Sequence, residues 1–295
     1  MSSKLQIFQA KYGSPTQWLK HSVSRHKPPP LYYWQPRKGN AAQIQSNFGD
    51  ELSALIVSHF AQAPIKRAPE NWGHKMLAVG SIIHLARKGD VVWGSGLNGK
   101  ILSENGDIFT PPHLDRIDFL AVRGPLTQAE LNKKGVSCPA IFGDPALLLP
   151  QIIAAAPRVI TGKTTIIPHY NDLKRISVSE LKAHGIDLVR PDSDVPTIVQ
   201  AITASEFVIS SSLHGLILSD AYGIPNRRLQ LGSGESNFKF EDYYQGTNRE
   251  LPESGTSIHS ALKLGAVSPL KWDSQPLVNA FPSRLWSQSS NPSSH

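Results

Sequence analysis

The stretch FVISSSLHGLILSDAYGIPNRR, residues 207–228, decides the fold. FVIS is a continuous apolar run, the pattern of a strand buried on both faces of a parallel sheet. LHGLILSDAYG reads as a helix stopped by Gly223 and Pro225. A buried strand, a polar corner and a helix make one unit of a parallel α/β sheet. The corner carries three serines and a histidine where a strand-to-helix turn needs only a cap. Open backbone N–H groups and the helix dipole favour an anion there. Ser211 or Ser212 is the expected cap; beyond Leu213 and His214, Gly215 lets a ligand approach the backbone. A histidine in a first helical turn is disfavoured as a cation, so His214 is expected to be neutral unless a bound anion compensates. That makes it a candidate acid/base group, with a capped, hydrogen-bonded histidine as the plain structural alternative. A serine nucleophile is not supported, because the G-x-S-x-G elbow is absent.

Outward from this unit, short apolar runs alternate with helical patterns in both directions. Strands are expected at 31–34, 76–80, 90–96 and 118–124, with one more running into a loop over 139–150, and helices at 49–61 and 125–135. The pattern restarts after residue 157 with strands at 164–170, 186–191, 206–212 and 227–231 and helices at 171–184, 194–205 and 214–222. The expected fold is therefore α/β, two Rossmann-type domains of parallel strands facing a central cleft. Residues 31–157 and 158–256 form the two domains, 1–30 a polar leader, and 257–295 helices packing back across them plus a disordered tail. The 295 residues, 40% of them apolar, suffice for two cores.

Composition narrows the function. The chain carries 30 basic and 23 acidic residues, a net charge of +7, which attracts anions. No zinc finger or basic run interleaved with aromatics is present, so nucleic acid is not an expected partner. The one cysteine, Cys138, rules out an intrachain disulfide and fits a reducing compartment. No segment has the length of an apolar membrane span or the pattern of a signal peptide, so a cytoplasmic protein is expected. In the leader, the basic amphipathic TQWLKHSVSRHK (16–27) can lie at a membrane surface. No His/Cys/Asp cluster has metal-ligand spacing, so no metal is expected.

Other corners add candidates. NFGDELSAL (47–55) offers Asn47 and Gly49 in a turn and Asp50 at a helix start, either as a cap or facing the cleft. Arg123 stands at a strand end before a Pro125-initiated helix, placed to meet a carboxylate or phosphate. VGSIIH and WGSGLNG supply Ser81, Gly94, Ser95 and Gly96, matching neither a Walker loop nor a dinucleotide fingerprint. His169 and Asn171 follow the first strand of the second domain. FKFEDYYQG (238–246) brings Lys239 and Tyr243, and Asp144 in FGDPALLLP reads equally well as a turn residue.

Taken together, NFGDELSALIV, AVGSIIHLARKGDVVWGSGLNGK, AVRGPLTQAEL, GDPALLLP, IPHYND and ISSSLHGLILSDAYGIPN resemble the polysaccharide pyruvyltransferase family across roughly residues 31–286. The resemblance implies a GT-B-like fold and transfer of pyruvate from phosphoenolpyruvate, a co-substrate, onto two hydroxyls of a terminal hexose. The acceptor implied is a lipid-linked exopolysaccharide repeat at the inner face of the cytoplasmic membrane, and no other cofactor is implied. Arg123 and Ser212-Leu213-His214 match positions associated with phosphoenolpyruvate; some members carry Arg where this chain has Ser212, which implies a different anion clamp. His214 is the expected acid/base, His169 or Asp50 its counterpart, and Arg123 the electrostatic clamp. The rivals are a GT-B glycosyltransferase using a nucleotide sugar and a non-catalytic glycan-binding scaffold.

Overall fold

The computed structural model describes residues 28–34, 47–155, 162–232 and 234–286. The amphipathic leader segment and the tail after 286 lie outside them. The chain is α/β, with two sheets of four parallel strands. In the first, β1 (Leu31–Tyr32), β2 (Met76–Leu77), β3 (Val91–Trp93) and β4 (Asp118–Ala121) lie side by side in chain order. In the second, β5 (Thr164–Ile167), β6 (Asp187–Leu188), β7 (Phe207–Ser210) and β8 (Asn226–Arg228) are arranged β6-β5-β7-β8. The chain leaves β5 toward one side, then returns to place β7 on the other. The reversal puts a crevice at the carboxyl ends of β5 and β7, where open α/β sheets bind ligands.

The strands are shorter than their sequence patterns. PAIF forms no strand; Phe142 makes only an isolated bridge with Val122. Gly143, at φ 148°, turns the chain into a 3₁₀ helix over Pro145–Gln151, and Asp144 caps it. The helix expected at 171–184 is two pieces, a 3₁₀ turn Tyr170–Arg175 and α3 (Val178–His184), which Ser177 caps at its start.

Two helices bring the sheets together. Helix α1 (Phe48–Ala61) starts at Asn47, whose Oδ1 accepts from Gly49 N at 3.3 Å. It ends at Gln62 in the left-handed region. Its buried face packs on α4 (Val195–Ala204) and on the 145–151 turn, which in turn packs on α5 (Leu213–Ala221). Phe48, Leu52 and Ile56 thus share one continuous core with Ile198, Val208 and Leu216, drawn from both halves of the chain. Past residue 257, α7 (Ile258–Leu264) lies against β8. The chain then reaches α8 (Gln275–Asn279), where Trp93 of the first sheet donates to Leu277 O at 2.9 Å. None of the described helices is long and apolar enough to cross a membrane.

Candidate active site

The three serines after β7 divide their work. Ser210 Oγ donates to Ile167 O at 2.6 Å and accepts from Ser212 N at 3.0 Å, sewing β7 to β5 at the crevice. Ser211 Oγ accepts from His169 N at 2.9 Å, fixing the exit of β5 beside that of β7. Ser212 occupies the N-cap position of α5, yet its side chain makes no capping bond, contrary to expectation. Gly215 is needed by the protein itself, since a Cβ there would lie 2.3 Å from Ser210 Oγ.

This packing holds His214 at the start of α5, its side chain 15% exposed. The ring lies against the first turn of α1: a Cβ on Gly49 would fall 2.1 Å from Nδ1. Nε2 has no hydrogen-bond partner and stands 4.0 Å from Asp144 Oδ2, which is also unpartnered. The other Asp144 oxygen is occupied, accepting from Ala146 N at 3.0 Å. Burial lowers the His214 pKa to about 3, and the positive charges of Lys239 and Arg123 and neighbouring His169 push the same way. Burial raises Asp144 to about 6, although Ala146 N–H and Arg123 oppose it. A neutral imidazole therefore faces a carboxyl poised near neutrality. Sequence reasoning missed this pairing because 70 residues separate the partners; the only signal was an Asp-Pro step inside one of the family-like blocks.

The surroundings are cationic. Lys239, at the start of α6 (Phe238–Gly246), is buried and pairs closely with Glu235, which also holds Lys100. Burial works to raise Glu235, but the two lysines dominate and hold it at about 2, a permanent anion. His169 caps the 170–175 turn through Nδ1, which accepts from Asn171 N at 3.3 Å. The neutral ring therefore carries its proton on Nε2, 3.9 Å from Glu235 Oε1. Burial, then Lys239, lowers its pKa to about 4. Asp50 accepts from Asn47 Nδ2 at 2.8 Å, and burial raises its pKa to about 7.

Arg123 is fully buried and paired with the protein's own Asp242, Nε to Oδ2 at 3.0 Å. Its two terminal nitrogens donate to Ser81 Oγ at 2.5 Å and Leu97 O at 2.8 Å. Asp242 is held in turn by Thr127, whose N and Oγ1 donate to it at 2.8 and 2.7 Å. Arg123 thus acts on His214 and Asp144 through its field rather than from an open face.

Of the residues singled out from sequence, Asn47, Gly49, Asp50, His169, Ser211, Leu213, His214, Lys239 and Arg123 gather around this corner. Others serve the scaffold. Ser95 Oγ donates to Gly80 O at 2.8 Å. Gly96 lies under the Arg123 guanidinium, where a Cβ would be 2.3 Å from Cζ, and Gly94 packs against Pro145. Tyr243 OH donates to Asp220 Oδ2 at 2.6 Å inside the core, and the side chain of Asn171 is turned outward. Among the described residues, no three His, Cys, Asp or Glu side chains are grouped to hold a metal ion.

Comparison with known proteins agrees with the corner's composition. The sequence profile of the polysaccharide pyruvyl transferase family matches residues 47–229, from the Asn47 cap of α1 to the end of β8. The succinoglycan biosynthesis protein ExoV of Rhizobium meliloti (strain 1021) is 26% identical over 219 residues, 72% of this chain. The chain spans 63% of that relative's length. A crystal structure of a functionally uncharacterized protein from Klebsiella pneumoniae aligns over 83% of this chain and 94% of its own, at 12% identity and a TM-score of 0.40. The profile covers well over half of the chain, corner included, and so the chain belongs to the polysaccharide pyruvyl transferase family.

Proposed function

We propose that the protein transfers the pyruvyl group of phosphoenolpyruvate to two hydroxyls of a terminal hexose on a lipid-linked exopolysaccharide repeat, forming a cyclic ketal and releasing phosphate. Family membership supports pyruvyl transfer, and the name of the R. meliloti relative, which assigns it to succinoglycan biosynthesis, supports a polysaccharide acceptor. One observation carries the chemistry: a buried, neutral His214 unpartnered at Nε2, ringed by the charges of Lys239 and Arg123 and backed by Asp144.

Phosphoenolpyruvate brings a carboxylate and a phosphate. Burial above all, with Lys239 and Arg123 adding to it, keeps His214 neutral; the ligand's negative charge favours the imidazolium against both, so its pKa rises on binding. The imidazole then takes a proton and delivers it to the methylene carbon, leaving oxocarbenium character on the adjacent carbon. The first sugar hydroxyl attacks that carbon and its proton passes to the now neutral imidazole. Cleavage of the bond between that carbon and the phosphate oxygen expels phosphate, and the second hydroxyl closes the ring as Asp50 accepts its proton; His169, with Nδ1 taken by Asn171 N–H and a proton on Nε2, has no free nitrogen for it. The methyl group gains one proton, the hydroxyls lose two, and phosphate leaves with the balance. No metal or further cofactor enters this sequence.

The same reading takes the two sheets as Rossmann-type halves of a GT-B-like enzyme divided near residue 157, with residues 257–295 packing back across both. It places the protein in the cytoplasm, peripheral to the inner membrane face where its acceptor is anchored. The test is incubation with phosphoenolpyruvate and pyrophosphoryl-lipid oligosaccharides. Phosphate and acid-labile pyruvate should appear in equal amounts, and His214→Gln should abolish both. Consumption of a nucleotide sugar, with indifference to phosphoenolpyruvate, would favour a glycosyltransferase instead.

A further inference from the structure

A cavity of about 150 Å³ opens beside the carboxyl ends of β7 and β8, lined by Asp172, Ser211, Arg228, Gln230, Glu235 and Phe240 among others. Two of these side chains are buried with polar atoms unmatched. Arg228 is 2% exposed, its guanidinium 3.7 Å above the Phe240 ring. One terminal nitrogen donates to Asn237 Oδ1 at 2.8 Å, while Nε has no partner. Asp172 is 1% exposed; its Oδ1 accepts no hydrogen bond and has only the outlying Arg175 Nε at 3.8 Å. Buried polar groups are almost always satisfied, so an unmatched donor and an unmatched acceptor on two side chains that line one cavity point to a ligand.

The signs define its class. Arg228 Nε–H needs an acceptor and Asp172 Oδ1 needs a donor. A hydroxyl is both at once. A phosphate or carboxylate only accepts, and would sit between the Asp172 and Glu235 carboxylates. Ligand pockets usually exceed about 300 Å³, so this cavity suits a single ring and excludes a nucleotide. Ser211 lines the cavity and also fixes His169, three residues ahead of His214 on the same turn.

We propose that this cavity binds one neutral, polyhydroxylated sugar ring, with hydroxyls bridging Arg228 Nε and Asp172 Oδ1. The role of that ring as pyruvyl acceptor rests on the function proposed above; the binding itself rests on the cavity.

Saturation-transfer NMR on the full-length protein tests it, using methyl glycosides of glucose, galactose and mannose, with inorganic phosphate and phosphoenolpyruvate as competitors. At least one glycoside should bind and resist displacement by phosphate. Asp172→Asn, nearly isosteric, and Arg228→Lys, which keeps the charge but loses Nε–H, should each weaken it about tenfold or more, as expected for a lost hydrogen bond to a charged group. If Arg228→Lys unfolds, Asp172→Asn alone decides. Absence of glycoside binding to the wild type, unchanged binding by folded Asp172→Asn, or displacement by phosphate would each overturn the proposal. Phosphate release from phosphoenolpyruvate, assayed separately, reports on the pyruvyl-transfer reading, so the two can fail independently.

Discussion

Gly49→Ala probes the seat of His214 without touching the imidazole. The new Cβ would fall 2.1 Å from Nδ1, about 1.4 Å inside the closest comfortable carbon–heavy-atom separation. The backbone of α1 is poorly able to yield, because Phe48 is fully buried and its N–H donates to Pro191 O at 3.1 Å. The His214 ring, 15% exposed, is the part that moves. A displacement of about 1 Å at a reacting group costs on the order of 100-fold in rate. Stability should fall only moderately. Alanine is favoured over glycine within a helix by about 0.5–1 kcal/mol, against about 1–3 kcal/mol for overpacking, so the net loss should not exceed about 2.5 kcal/mol. The assay pairs kcat for phosphoenolpyruvate-dependent phosphate release with thermal unfolding of the same preparation. A fall of about two orders of magnitude in kcat, with a cooperative unfolding transition lowered by no more than that net loss, is the expected result. A folded variant turning over at the wild-type rate would refute the placement of His214 at the reacting carbon.

Asp144→Asn should keep the cap on the 145–151 turn yet remove the carboxyl facing His214; the alkaline limb of the kcat–pH profile, set by loss of the His214 proton, should move down, which a merely structural role would not cause. Asp242→Asn strands buried Arg123 without its anion and should cost about 3–5 kcal/mol, read as a lower urea midpoint. Folding leaves His169 and His214 with pKa values of about 4 and 3 and Asp144 and Asp50 with about 6 and 7. Between pH 4.5 and 6 the unfolded chain holds two protons on these imidazoles and the native chain two on these carboxyls, so their contributions to the pH slope cancel. Replacing both histidines with Gln exposes the carboxyl term alone: native Asp50 and Asp144 then bind the extra protons, and stability should fall as pH rises through that window by up to about 2.7 kcal/mol per unit. Phosphoenolpyruvate binding should be accompanied by proton uptake, seen as a buffer-dependent calorimetric enthalpy at constant pH; uptake absent in the wild type would contradict the rise proposed for His214.

Much of the scaffold was legible because burial and periodicity are local. FVIS, TTII and the Gly-terminated runs of the first half read directly as parallel strands, and the Asn47 and Asp194 corners as helix starts, whereas the break at Ser177 inside the helix expected at 171–184 did not show. The order β6-β5-β7-β8 was not legible, since nothing in a strand's own residues names its neighbour. The candidate site divides in the same way. His214 and His169 stand out as polar residues at strand ends, but their partners are set by tertiary packing. Asp144 lies far back in the chain from His214, Asp242 lies 119 residues from Arg123, and Lys100 lies 135 residues from Glu235. The glycines misled for a physical reason. Gly96 and Gly215 signal close approach, but what approaches is Arg123 or Ser210, and sequence cannot distinguish a side chain from a ligand as the visitor.

The central claim is that a protonated His214 delivers a proton to the enol carbon as the ketal forms. Running the reaction in D₂O with unlabelled phosphoenolpyruvate and a lipid-linked oligosaccharide acceptor, then reading the ketal methyl by NMR and mass spectrometry, tests it directly. The account predicts a CH₂D methyl on the pyruvylated sugar, one phosphate released per ketal, and loss of both signals in His214→Gln. An undeuterated CH₃ group, or full turnover by a folded His214→Gln protein, would contradict it.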